Sequence, residues 1–137
     1  MKTIKARDGA RRLEEARKTW GDSPAWKESA RRTADWKAAD WARMKAEMKA
    51  LGERLAAASS GKPEDPEAQE AIKAYHDFID RTFYSCPASM FLGLSDLWVQ
   101  DERFASTWNG MRPGLADFLH EAVRVYVEEL LLVEERY

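Results

Sequence analysis

The chain has 137 residues, enough for one domain with a core of its own, and its single cysteine excludes an internal disulfide. No stretch approaches the roughly 20 apolar residues needed to cross a bilayer; "MKTIKARDGARRLEEARK" at the start has no apolar run behind its charges, so the expectation is a soluble cytoplasmic protein without membrane contact. The formal net charge is −2, and the basic residues alternate with acids and alanines, which disfavours direct nucleic-acid binding by this chain.

β-Branched residues are sparse and no period-two pattern is present, so the chain reads as all helix. A first helix is predicted up to Trp20, with Ala10, Leu13, Ala16 and Trp20 on one stripe. "GDSP" then supplies a stop and a start: Gly21 as terminator, Ser23 as N-cap, Pro24 at the first helical position. The second helix, near 24–34, is short. The third, near 38–58, places Trp41, Met44, Met48, Leu51 and Leu55 on one apolar stripe. "SSGKPEDP" at 59–66 is a loop that ends in another start signal, Asp65 as N-cap and Pro66 at N1. The fourth helix carries Ile72, Tyr75, Ile79, Thr82, Phe83 and Cys86 until Pro87 interrupts it.

The fifth helix, near 87–100, is apolar over most of its girth. Met90, Phe91, Leu94, Leu97 and Trp98 share one face, Ala88, Leu92 and Val99 a neighbouring one, and Ser89, Gly93, Asp96 and Gln100 a small polar strip. Such a helix is expected to be surrounded by others, with Gly93 admitting a close approach. A short helix or turn runs through Trp108, "GMRPG" breaks it, and a last helix from Pro113 carries Leu115, Phe118, Leu119, Ala122, Tyr126 and Val133.

The inventory for chemistry is thin. Two histidines and one cysteine lack metal-ligand spacing, and no phosphate-binding glycine loop is present, so no cofactor or metal is expected. Cys86 sits among apolar neighbours and reads as a core residue. His76 precedes it by ten positions on what reads as one helix, about 15 Å away, which leaves only His120 as a base. Asp96, Asp101 and Glu102 read as caps and ion pairs more than as a catalytic pair. An enzyme is disfavoured. What remains is a helical domain with six tryptophans, which serve equally as core and as ligand surface, and either a pocket between helices or a protein–protein interaction surface.

Five segments, in order, resemble the TipAS-type antibiotic-recognition domain of MerR-family activators: "TWGDSPAWKESARRT" at 19–33, "DW" at 40–41, "FYSC" at 83–86, "LWVQDERF" at 97–104 and "RPGLADFLHEAV" at 112–123. The resemblance implies a single all-α, globin-like domain with a deep cleft for a bulky hydrophobic antibiotic, used for resistance by sequestration or as the sensor of an activator. It implies a lid from the helices of residues 1–58 closing over core helices of 66–137. Residues 1–60 carry 15 Lys/Arg and 9 Asp/Glu (+6), and 61–137 carry 7 and 15 (−8), so closure would bring opposite charges together. Under this reading Tyr75, Ile79, Met90, Phe91, Leu94, Trp98 and Trp108 line the cleft, with Trp36 or Trp41 from the closing half. The thiopeptide-binding founder of the family captures its drug through a second cysteine seven residues after the one matching Cys86; Gly93 stands there, which implies noncovalent binding. No winged helix-turn-helix is read ahead of the domain, so a MerR-type DNA-binding half is expected only in a longer product.

Overall fold

The computed structural model describes residues 24–136, with side chains to residue 132. The predicted first helix, its stripe Ala10, Leu13, Ala16 and Trp20, the signals at Gly21 and Ser23, and the Val133 side chain lie outside the described residues.

Among the described residues six helices follow one another: α1 (Pro24–Thr33), α2 (Ala38–Ala58), α3 (Pro66–Thr82), α4 (Ala88–Gln100), α5 (Glu102–Met111) and α6 (Leu115–Arg136). No strand occurs among the described residues. Of the start signals on described residues, Pro24 and Pro66 stand at the first helical position as read, whereas Asp65 precedes α3 without capping it through its side chain. Pro66 opens α3 at its first turn, while the Asp65 carboxylate turns back to accept from the Lys62 amide at 2.9 Å. A Cβ on Gly61 would lie 2.5 Å from the Asp65 carboxylate oxygen, so a larger residue there would displace that carboxylate. Asp40 accepts from the Lys37 amide at the start of α2. Asp101 caps α5, accepting from the Arg103 amide at 2.9 Å. Gly114 takes φ +82° between α5 and α6, a left-handed position that favours glycine.

The core is built on α6, whose Leu115, Leu119, Val123 and Val127 are fully buried against Leu55, Ile72, Phe78 and Phe91. The stripe of α2 fades toward its start: Leu55 is buried, Leu51 and Met44 half-buried, Met48 and Trp41 exposed. Helix α1 buries no side chain completely. It is attached through Arg32, which donates to the Asp80 carbonyl at 2.7 Å, and through Glu28, which accepts from the Ser85 amide at 3.3 Å.

Two expectations are corrected. Among the described residues, helix α4 is not surrounded. It packs chiefly on α6 and on α5, and its buried line is Ala88, Phe91, Ser95 and Trp98. Met90 is 37 % exposed on the outer side, and a Cβ on Gly93 would meet nothing within 4 Å, so no described residue approaches closely there. Ser95 is admitted to the interior because its hydroxyl donates to the Leu92 carbonyl of the preceding turn.

The second correction concerns α3, which ends at Thr82 instead of running on to Cys86. Residues 83–87 reverse onto it and bring the Cys86 carbonyl to 2.6 Å from Nε2 of His76. The 15 Å separation inferred for one continuous helix therefore does not apply.

Candidate functional site

A cleft of about 490 Å³ opens between α1, α2 and α3. Its residues follow from helical spacing. Asp40, Arg43, Met44 and Glu47 recur on one face of α2, Phe78, Arg81 and Thr82 on one face of α3, and Arg32 and Trp36 come from α1 and the link after it. Phe78, Met44 and Trp36 give it an apolar lining. Charged groups stand around them in pairs: Arg32 with Glu28 at 2.5 Å, Arg43 with Asp40 at 2.5 Å, and Arg81 with Glu47. The Arg81 guanidinium also lies 5.5 Å from the centre of the Phe78 ring.

Behind the cleft the aromatic side chains form one continuous series of ring contacts. Trp41 meets Trp36 edge-on at 4.8 Å, Trp36 meets Phe83 at 6.4 Å, and Phe83 meets Phe78 at 5.8 Å. Phe78 leads to Tyr75 at 6.4 Å, and Tyr75 to Trp98 and Trp108 at 5.7 and 6.0 Å. Trp98 touches Phe91, and Phe91 stacks on His76 at 4.5 Å with ring planes 11° apart. Burial, and next to it the Tyr84 hydroxyl, push the Tyr75 phenol up to about 12, so it stays neutral.

The candidate residues therefore fall into three groups. Trp36 lines the cleft and Trp41 leans on it. Tyr75, Phe91, Trp98 and Trp108 lie along the ring series, and Ile79 is buried in the same core. Met90, Gly93 and Leu94 belong to α4 and are absent from the cleft lining. Sequence reading missed Phe78 and the arginines around the cleft, and placed Phe83 on an apolar stripe without making it a site residue; Phe78 and Phe83 join the two ends of the series. Phe78 was detectable, being three residues from Tyr75 on the same helix; the arginines carried no signal that separates them from solvated charges.

His76 was also missed as a structural centre. Its Nε2 faces a carbonyl, which can only accept, so in the neutral ring the proton sits on Nε2 and Nδ1 accepts from the Tyr126 hydroxyl at 2.7 Å. This arrangement orients the ring without activating a nucleophile: His76 meets the Cys86 backbone, and burial, then the nearby Asp80 carboxylate, push the Cys86 thiol up to about 11. His120 is engaged elsewhere, with Asp96 at 2.7 Å. Among the described residues no group of three His, Cys, Asp or Glu side chains could hold a metal ion, and no helix is long and apolar enough to cross a membrane.

The comparisons with known proteins agree with this architecture. The chain is 36 % identical over 115 residues to the HTH-type transcriptional activator mta of Bacillus subtilis, covering 84 % of this chain and 44 % of that protein. It is 34 % identical over 112 residues to the HTH-type transcriptional activator TipA of Streptomyces coelicolor, covering 80 % and 44 %. The chain thus spans less than half the length of these relatives. A solved structure of TipAS from Streptomyces lividans in complex with nosiheptide superposes with a TM-score of 0.79 at 28 % identity, over 88 % of this chain and 85 % of that one. The all-α, globin-like fold is the one anticipated. The model of the TipAS antibiotic-recognition domain matches residues 13–126, and the chain belongs to that family.

Proposed function

We propose that this domain binds a bulky, largely apolar antibiotic noncovalently, either to sequester it or as the sensing part of a longer transcriptional activator that carries the DNA-binding half. The observation that carries this reading is the cleft between α1, α2 and α3, with Trp36 and Phe78 in its lining and a series of aromatic rings leading from it into the core of a TipAS-family domain. Apolar burial against such a surface contributes about 25 cal/mol per Å², less the cost of ordering the helices that close on the ligand. Trp36 and Trp41 supply the outer contact, and Tyr75, Ile79, Phe91, Trp98 and Trp108 form the wall behind it. Met90, Gly93 and Leu94 are not needed for this seat.

Two features favour noncovalent binding. Gly93 offers no thiol, and the Cys86 thiol is buried and scarcely ionised at neutral pH. No bond-breaking step belongs to this role, and the domain works in the cytoplasm, where its relatives' kind of regulation takes place.

Tryptophan fluorescence titrated with nosiheptide and with other large apolar antibiotics tests the proposal. A saturable change and a raised melting temperature are expected with at least one of them. Flat titrations and unshifted melting across the panel would refute it.

A further inference from the structure

The polar groups around the cleft carry information that its apolar lining does not. Three guanidiniums and two carboxylates line it: Arg32, Arg43 and Arg81 against Asp40 and Glu47. The carboxylates are occupied. Asp40 accepts from the Lys37 amide and from Arg43, and both oxygens of Glu47 face Arg81. The guanidiniums are not saturated. Each has more N–H donors than the one or two it uses here.

These pairs are also weakly held. The Arg43 and Arg81 side chains are 75 % and 57 % exposed, and exposed pairs of this kind contribute little to stability. An incoming anion can therefore share or displace an internal carboxylate without unfolding anything. A cation would find both carboxylates already engaged. Beneath the arginines, the half-buried Trp36 and Met44 present apolar surface suited to a planar ring, with the fully buried Phe78 behind them.

Resting on the drug-binding reading above, we infer that the cleft between α1, α2 and α3 selects ligands that carry an anionic group on a planar aromatic system, the ring lying against Trp36 and Met44 and the anion meeting Arg43 and Arg81. Arg32 is tied to the Asp80 carbonyl and to Glu28, so it acts as a fixed positive background. Glu47 is the internal competitor for Arg81.

The test uses the whole chain and two fluorescent probes that differ by one anionic group: anilinonaphthalenesulfonate and its uncharged parent, phenylnaphthylamine. The sulfonate should bind at least about tenfold more tightly than the parent, and less tightly as salt is added. Arg43→Gln and Arg81→Gln should each weaken the sulfonate by about three- to tenfold, and Glu47→Gln should strengthen it severalfold. The opposite signs at Arg81 and Glu47 are the decisive reading, because loss of structure would weaken binding in both variants. Equal affinity for the two probes, or three variants that leave sulfonate binding unchanged or move it in one direction, would overturn the charge selectivity while leaving apolar drug binding intact. Failure of both probes to bind would remove the cleft as a ligand seat altogether.

Discussion

Nε2 of His76 donates to the carbonyl of Cys86 across 2.6 Å, although ten residues of chain separate them, and Nδ1 of the same ring accepts from the Tyr126 hydroxyl of α6. One side chain thus fastens the reversal after α3 to the last helix. His76→Phe keeps a ring against Phe91 but leaves the carbonyl and the hydroxyl without partners, and should cost about 2–4 kcal/mol in urea denaturation. Tyr126→Phe, losing one of the two bonds, should cost about 1–2 kcal/mol. The double variant should cost less than the sum of the two, since the Tyr126 bond is made to His76 itself. Additive losses would show that the ring and the hydroxyl act independently.

Alkaline stability should follow the Cys86 thiol. Its ordinary value of 9.0 is raised to about 11 in the folded chain, first by burial and then by the Asp80 carboxylate. A raised value means that the contribution is complete below pH 9 and is lost as pH climbs through 11. Melting temperature should begin to fall above pH 9, and Cys86→Ala should soften the first part of that fall. Alkylation by iodoacetamide at pH 8 should be about a hundredfold slower in the native chain than in urea. Comparable rates would show an accessible, ionised thiol.

Acid acts through a different cap. The Arg103 guanidinium, and next to it the Arg103 amide, hold the Asp101 carboxyl down at about 2 from its ordinary 3.8. A lowered value contributes above 3.8 and is lost as pH falls toward 2. Asp101→Ala should lower the melting temperature at pH 7 and make it less sensitive to acid. An unchanged acid profile would place the sensitivity elsewhere.

Two glycines should respond in opposite directions. Gly93 is interior to α4 with open space around its Cα, so Gly93→Ala should stabilise the domain by about 0.5–1 kcal/mol through helix propensity. Gly114, at φ +82°, should lose about 1–2 kcal/mol as alanine. Thermal denaturation of the two variants side by side measures both signs.

These contrasts mark what the residue pattern could reveal. Turn chemistry was legible at Asp65 and Pro66 because a proline and a capping residue constrain the backbone wherever the chain goes. The line along α6 was legible at Leu115, Leu119, Ala122 and Tyr126, because polar residues bound it on both sides, while the equally buried Val123 and Val127 were not named. Helix α4 was not, since its apolar residues surround it almost completely and only its neighbours decide that Phe91 and Trp98 turn inward while Met90 turns out. The end of α3 was hidden for a similar reason: Phe83 and Cys86 continue the apolar spacing up to Pro87, yet the helix already stops at Thr82. The cleft arises from α1, α2 and α3 meeting, so Arg32, Arg43 and Arg81 acquire a common purpose only in three dimensions.

Helix α1, which buries no side chain completely and is attached through Arg32 and Glu28, has a kinetic consequence. Its detachment exposes little surface compared with unfolding of the core, so denaturant should hardly promote it. Amide exchange across residues 24–33 should therefore be nearly independent of urea, while exchange in the middle of α6 accelerates with it. A ligand would then enter at a frequency set by the detachment of α1, and the domain can be made more robust at α6 without slowing its entrance.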